Sequence, residues 1–98
     1  MNMQAVLKQA QAMQKDMLKV KDEIDNTEFT GTSSLVTAKV KGDKTISGIE
    51  FNVDEDFSIE DIDMLQDMVV VAINDAMKKI DETTEKKMSK FGNIPGLF

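Results

Sequence analysis

Apolar residues at the start of the chain recur at alternating steps of three and four, which is the spacing of one helix face. This is the a/d pattern of a heptad repeat, and it predicts a first helix over residues 1–25. Because the face is narrow and rich in methionine, it indicates side-to-side packing on another helix, although an ordinary amphipathic helix on its own domain fits it equally well. We call this face the Met-rich seam, and its members are Met3, Val6, Ala10, Met13, Met17, Val20 and Ile24.

The middle of the chain changes to the alternation of apolar and polar residues that is typical of half-solvated strands. A short strand is predicted around residues 27–32, a second over residues 35–41 and a third over residues 45–53. Residues 27–53 therefore predict a three-stranded antiparallel sheet. With the helices on either side, the fold class is α+β and the protomer has the order α-β-β-β-α.

The third predicted strand contains one break in its alternation. Ile46 has the wrong parity for the residues that follow it. This predicts either a bulge near Gly48 or an Ile46 that covers a separate surface. The residues predicted to point inward are Ile49, Phe51 and Val53.

A second helical pattern runs over residues 58–90. Ser58 suits the N-cap, with Asp61 three residues later, and Gly92 suits the left-handed position after the last turn. Such a helix is about 45 to 50 Å long, which exceeds the body of a small domain. We therefore expect part of it to project or to pack on another subunit.

The centre of this helix has an unbroken apolar run, so it has no polar face at mid-length. One sheet covers only one side of a helix, and the other side is predicted to meet a symmetry mate in a homodimer. The predicted dimer interface consists of Met68, Val69, Val70, Val71 and Ile73.

Composition argues against catalysis, cofactors and metal sites. The chain has no cysteine and no histidine, so it lacks a thiol nucleophile and the commonest metal ligand. The acidic residues over 54–63 depart from a calcium-binding loop and suit the start of a helix. We expect one non-enzymatic domain over residues 1–98, with an apolar tail at residues 92–98. A cytoplasmic location is also expected, because no signal peptide is recognisable and the longest apolar run is too short to span a bilayer.

Charge is distributed unevenly along a chain whose formal net charge is −6. Residues 1–21 carry four lysines and one acid, residues 54–67 carry seven acids and no base, and residues 76–90 carry five lysines and three acids. Lysine without arginine favours phosphate contacts over base-specific contacts, so any DNA binding should be largely independent of sequence and weakened by salt. The candidate DNA-binding residues are Lys8, Lys15, Lys19, Lys79, Lys86, Lys87 and Lys90.

Several short motifs, each weak alone, occur in an order that covers the whole chain. They are the Met-Asn-Met-Gln start and the segments at residues 8–15, 61–67, 72–76, 85–88 and 94–98. Together they resemble the YbaB/EbfC family of bacterial nucleoid-associated DNA-binding proteins. The resemblance implies an α-β-β-β-α protomer, a tweezers-like homodimer with protruding helices, a cytoplasmic and nucleoid location, and double-stranded DNA as the ligand.

Two functions fit these patterns. The first is a homodimeric nucleoid-associated protein that grips double-stranded DNA through lysines on protruding helical arms, in nucleoid organisation or gene regulation. The alternative is a protein–protein interaction module, or a divergent paralogue with weak or no DNA binding. In that case the Met-rich seam, or the tail residues Ile94, Leu97 and Phe98, would dock another protein.

Overall fold

The computed structural model of the protein describes residues 2–92 and confirms the predicted α-β-β-β-α order. The predicted apolar tail falls almost entirely on residues 93–98, outside the described residues. The elements are α1 (Met3–Asp25), β1 (Glu28–Ser33), β2 (Val36–Lys41), β3 (Ile46–Phe51), a 3₁₀ turn (Ile59–Asp61), α2 (Ile62–Met88) and a final 3₁₀ turn (Ser89–Phe91).

Both helices begin at side chains that satisfy free backbone groups. The Asn2 side-chain oxygen accepts from the Gln4 N–H at 3.0 Å at the start of α1. Before α2, the Asp61 carboxylate accepts from the Ser58 N–H at 3.1 Å, which holds the chain at the predicted N-terminus. After the last turn, Gly92 has φ of +84°, the left-handed region that favours glycine. The α-helix itself spans Ile62–Met88, and the two 3₁₀ turns extend the helical run over residues 59–91, against the 58–90 predicted.

The three strands form an antiparallel sheet in the order β1-β2-β3. In the pairing of β2 with β3, Lys39 lies opposite Gly48 and Val40 lies opposite Ile46, so Ser47 is an extra residue. This is the bulge predicted near Gly48, and it returns Ile46 to the same face of the sheet as the inward residues of β2.

Helix α2 packs across β1 and β2. Its Ala72 joins Val36 and Ala38 in one buried cluster, and Ala76 and Ile80 join Val40 in a second one. The small alanines allow a close approach of helix and sheet. Gly31 on β1 marks the closest point, because a Cβ there would lie 2.1 Å from the Ala72 carbonyl oxygen.

Strand β3 departs from the sequence prediction. The strand ends at Phe51 rather than at residue 53, and Val53, predicted to point inward, is 42% exposed. Phe51 lies opposite the buried Val36, yet it is 52% exposed. The physical reason is the position of α2, which lies over β1 and β2, so that on β3 Ile49 packs against the cluster of Val36, Ala38 and Ala72 but Phe51 is left largely uncovered.

The outer edge of β1 is closed by two side chains of α2. The Asp75 carboxylate accepts from the Thr32 N–H at 3.0 Å, and the Lys79 ammonium donates to the Thr30 carbonyl at 2.8 Å. Asp75 and Lys79 also form an ion pair at 3.3 Å. Backbone groups on a sheet edge have no strand partner, so this pair satisfies them and sets the position of α2 along β1.

The same contacts predict a pH effect. The hydrogen bond from Thr32, followed by the one from Lys79, lowers the pKa of Asp75 below its ordinary value. A carboxylate with a lowered folded-state pKa stabilises the fold above its unfolded pKa and loses that contribution as pH falls through the folded pKa. Asp75→Asn is therefore expected to be less stable than wild type at pH 7, with a difference that shrinks below about pH 4. Urea unfolding from pH 7 to pH 3 measures it, and a difference independent of pH would contradict the assignment.

Candidate nucleic-acid interface

The end of α2 and the end of α1 form a two-helix arm. Ile24 of α1 lies at the level of Ile80, whereas Val20, one turn earlier, lies beside Lys87 and Lys90. Earlier residues of α1 thus meet later residues of α2, so the two helices are antiparallel. Packing of this kind buries Ile24, Met88 and Phe91.

Helix α1 continues past the end of α2. Residues 2–16 are exposed, and the longest dimension of the molecule is 72 Å. The helical run over residues 59–91 accounts for about 50 Å of that length, and about 20 Å of α1 extends beyond it. The arm therefore has two helices near the body and a single helix at its tip.

The three lysines of α1 lie along this arm. Lys8, Lys15 and Lys19 are exposed, and their spacing puts them on the side of α1 opposite the Met-rich seam. The seam contacts α2 at Val20 and Ile24, so these ammonium groups lie on the side of α1 away from α2. Among the described residues, the ion pairs within 4.0 Å engage other lysines.

The lysines at the end of α2 lie close to α1. Lys86, Lys87 and Lys90 line an open groove together with Val20 and Glu23 of α1. The carboxylate of Glu23 offsets part of this positive charge. The Lys90 ammonium lies 5.0 Å from the centroid of the Phe91 ring, a cation–π geometry that is worth little at an exposed site. The arm thus carries two rows of lysines, one from each helix.

Lys79 is the exception among the predicted DNA-binding residues. It lies on the part of α2 that packs on the sheet, and its ammonium is held by the Thr30 carbonyl and by Asp75. The structure does not bring it into the groove with Lys86, Lys87 and Lys90.

Negative charge lies at the other end of α2. Residues 54–67 precede α2 and form its first turns, and α2 itself separates this segment from Lys86, Lys87 and Lys90 by about 30 to 40 Å. This distance exceeds the Debye length of about 8 Å at physiological ionic strength. The acids therefore do little to cancel the field of the arm. Among residues 2–92, no cluster of three or more acidic side chains could hold a metal ion, and no helix is long and apolar enough to cross a membrane.

The residues predicted for the dimer interface divide into two groups. Met68, Val69 and Ile73 pack on the core of their own protomer, whereas Val70 and Val71 are 57% and 54% exposed. Sequence reasoning missed other exposed apolar residues, on and after β3 and at the start of α2. On the strand, parity gives the face but not whether a helix covers that face. The missed residues are Ile46, Phe51, Val53, Ile59, Ile62 and Met64.

The comparisons with known proteins agree with this architecture. The family model described as the YbaB/EbfC DNA-binding family matches residues 1–94. A nucleoid-associated protein of Ligilactobacillus salivarius is 45% identical over 100 residues, covering 99% of this chain and 95% of the relative. A nucleoid-associated protein of Lactococcus lactis subsp. cremoris is 46% identical over 93 residues, covering 93% of each chain.

A solved structure has the same fold. The crystal structure of an uncharacterized protein from Helicobacter pylori superposes with a TM-score of 0.74 at 18% identity, covering 95% of this chain and 99% of that chain. The resemblance first drawn from short sequence motifs is confirmed by the family match and by relatives that are similar over nearly their whole length. The chain therefore belongs to the YbaB/EbfC DNA-binding family, which is not a class of enzymes.

Proposed function

We propose that the protein binds double-stranded DNA as a homodimer, through lysines on its helical arms and largely independently of base sequence. Its role would be nucleoid organisation or gene regulation, in the cytoplasm and on the nucleoid. The observation that carries the proposal is the placement of Lys86, Lys87 and Lys90 beside α1 on one arm, far from the acidic segment. The proposed contacts are Lys8, Lys15, Lys19, Lys86, Lys87 and Lys90.

Lysine chemistry sets the kind of binding. Each ammonium is a mobile point charge that suits a phosphate oxygen, whereas the planar guanidinium of arginine makes the commonest specific contact to guanine. The chain has no arginine. Lys79, held at the edge of β1, is proposed to position the sheet and not to contact DNA.

Salt dependence tests the proposal directly. Each neutralised phosphate releases condensed counterions, so the logarithm of affinity falls linearly with the logarithm of salt concentration. If about four to six phosphates are neutralised per dimer, the slope is about −4 to −5. Fluorescence anisotropy with a labelled duplex across a salt series measures this slope. No binding at the lowest salt concentration would overturn the proposal.

The proposed homodimer is supported by exposed apolar residues on α2 and is tested by a substitution among them. Val70 and Val71 expose apolar surface at the middle of α2. Val70→Asp is expected to weaken the dimer at least ~100-fold, because it buries an unpaired charge in the interface. Sedimentation equilibrium measures the change. The matched control is Leu18→Asp, which adds the same charge at an exposed apolar position of the arm and should leave the mass unchanged.

Docking of a protein partner is the second candidate function. It is favoured by the exposed part of the Met-rich seam, since flexible methionine surfaces adapt to partners. The tail residues Ile94, Leu97 and Phe98, which were also predicted to dock a partner, lie outside the described residues. A pull-down that returned only nucleic acid, and nothing after nuclease treatment, would contradict this candidate.

A further inference from the structure

The Met-rich seam contacts α2 over only half of its length. Val20 and Ile24 lie against α2, but Met3, Val6 and Met13 are 68%, 42% and 40% exposed. Where α1 extends past the end of the other helix at Phe91, no described residue lies against the seam. An isolated helix of this length is marginal in water, because most helical stability comes from packing of an apolar face.

We propose that the exposed half of the seam, from Met3 to Met13, pairs antiparallel with the same segment of a second copy. The partner helix would then continue the antiparallel packing that α2 provides over the other half of the seam. In an antiparallel heptad pairing, a positions meet d positions. Met3 then lies opposite Met13 of the partner copy, and Val6 lies opposite Ala10.

The charges on α1 suit this pairing. Leu7, Gln9 and Gln14, which flank the exposed half of the seam, are uncharged, so two copies meet without repulsion between like charges. Asp16, the one charged flanking residue, falls beside the N-terminus of the partner helix, where negative charge is favourable. Lys8 and Lys15 lie on the opposite side of α1, so pairing leaves them exposed.

Orientation follows from the shape of the molecule. Each arm tip is the N-terminal part of α1. The sheet and the part of α2 that packs on it form a wider body at the C-terminal end of α1. Parallel pairing would bring two bodies side by side, whereas antiparallel pairing places them at opposite ends. Pairing of arms from two homodimers would join the dimers, and with them two DNA duplexes. That last consequence rests on the proposed function, but the pairing itself needs neither DNA nor the dimer.

The size of the contact limits its strength. Two short helices with four seam residues each bury less than the roughly 1,200 Å² that stable complexes need. The association is therefore weak in dilute solution. Pairing of arm tips becomes effective where several copies bind the same duplex. The shared duplex raises the effective concentration of one arm tip around another.

Disulfide trapping tests the proposal, since the chain has no cysteine of its own. Full-length Met3→Cys and Met13→Cys proteins are mixed at high concentration without DNA in a glutathione redox buffer. Only the antiparallel register brings these two positions within the roughly 7 Å between Cα atoms that a disulfide spans. Mixed disulfides are expected at several-fold higher yield than either self-disulfide. A statistical mixture, or Met3→Cys crosslinking mainly with itself, would overturn the proposal.

Two further measurements complete the test. The control pair Gln4→Cys and Gln11→Cys lies on the same part of α1 but away from the seam, so it should crosslink only at the background rate. The competing occupant is the chain's own end, at residues 93–98. If the mixed disulfide formed only when Leu97→Asp and Phe98→Asp were added to both proteins, that segment would occupy the seam and the proposal would fail.

Discussion

Replacement of Gly31 by alanine is expected to unfold the protein or to lower its free energy of unfolding by at least ~3 kcal/mol. An added Cβ would lie 2.1 Å from the Ala72 oxygen and 2.4 Å from the Ala76 nitrogen. Both are backbone atoms and cannot rotate away, so α2 must lift off the sheet and open both apolar clusters. For a chain of this size, such a loss lowers the melting temperature by roughly 12 to 24 °C.

Gly48→Ala is the matched control, because no atom lies within 4 Å of the added Cβ. Its free energy of unfolding should change by less than about 1 kcal/mol. Thermal unfolding followed by circular dichroism compares the two variants. A Gly31→Ala protein that melts with wild type would show that α2 does not lie this close to β1.

Substitution of Lys8, Lys15, Lys86 and Lys87 by alanine is expected to weaken binding to a short duplex by roughly 100-fold or more at low salt. Each lysine that contacts a phosphate adds about one unit to the salt slope. The slope of the variant should therefore become clearly shallower, and Lys19 and Lys90, which the variant keeps, account for what remains. Anisotropy titrations at several salt concentrations measure both quantities, and circular dichroism verifies that the fold is retained.

An equal loss of charge elsewhere separates local contact from net charge. Lys39, Lys41, Lys44 and Lys78 are exposed or half-buried residues outside the arm. Their substitution by alanine should change affinity only a few-fold, because distant exposed charges are screened. Equal losses in both quadruple variants would mean that the arm is not the DNA-binding surface.

Local patterns were sufficient to predict the elements and their order. The seam predicted α1, the alternation of β2 predicted the sheet, and the parity of Ile46 gave a bulge near Gly48 as one of two explanations, which is the one that the pairing of β2 with β3 shows. Each of these features depends on residues close together in sequence. Ser58 and Gly92 in the same way flank the helical run of α2 and its two 3₁₀ turns.

What the sequence did not reveal depends on contacts between distant segments. The position of α2 over β1 and β2 follows from the close approach at Gly31, and a glycine inside a strand is only a general sign of such an approach. The structural role of Lys79 requires Thr30, forty-nine residues away. The seam has the same periodicity where it contacts α2 and where it is bare, so periodicity alone cannot locate the arm tip.

The closure of β1 by Asp75 and Lys79 also limits how copies of this protein can polymerise. A sheet with two open edges can add strands from further copies without end, as amyloid fibrils do. Here side chains of α2 occupy the Thr32 N–H and the Thr30 carbonyl on the outer edge of β1, whereas the outer edge of β3 has no strand partner among the described residues. Addition of a strand from another copy is therefore obstructed at β1 and open at β3. Strand pairing between copies through β3 then favours a pair of sheets over a continuing fibre.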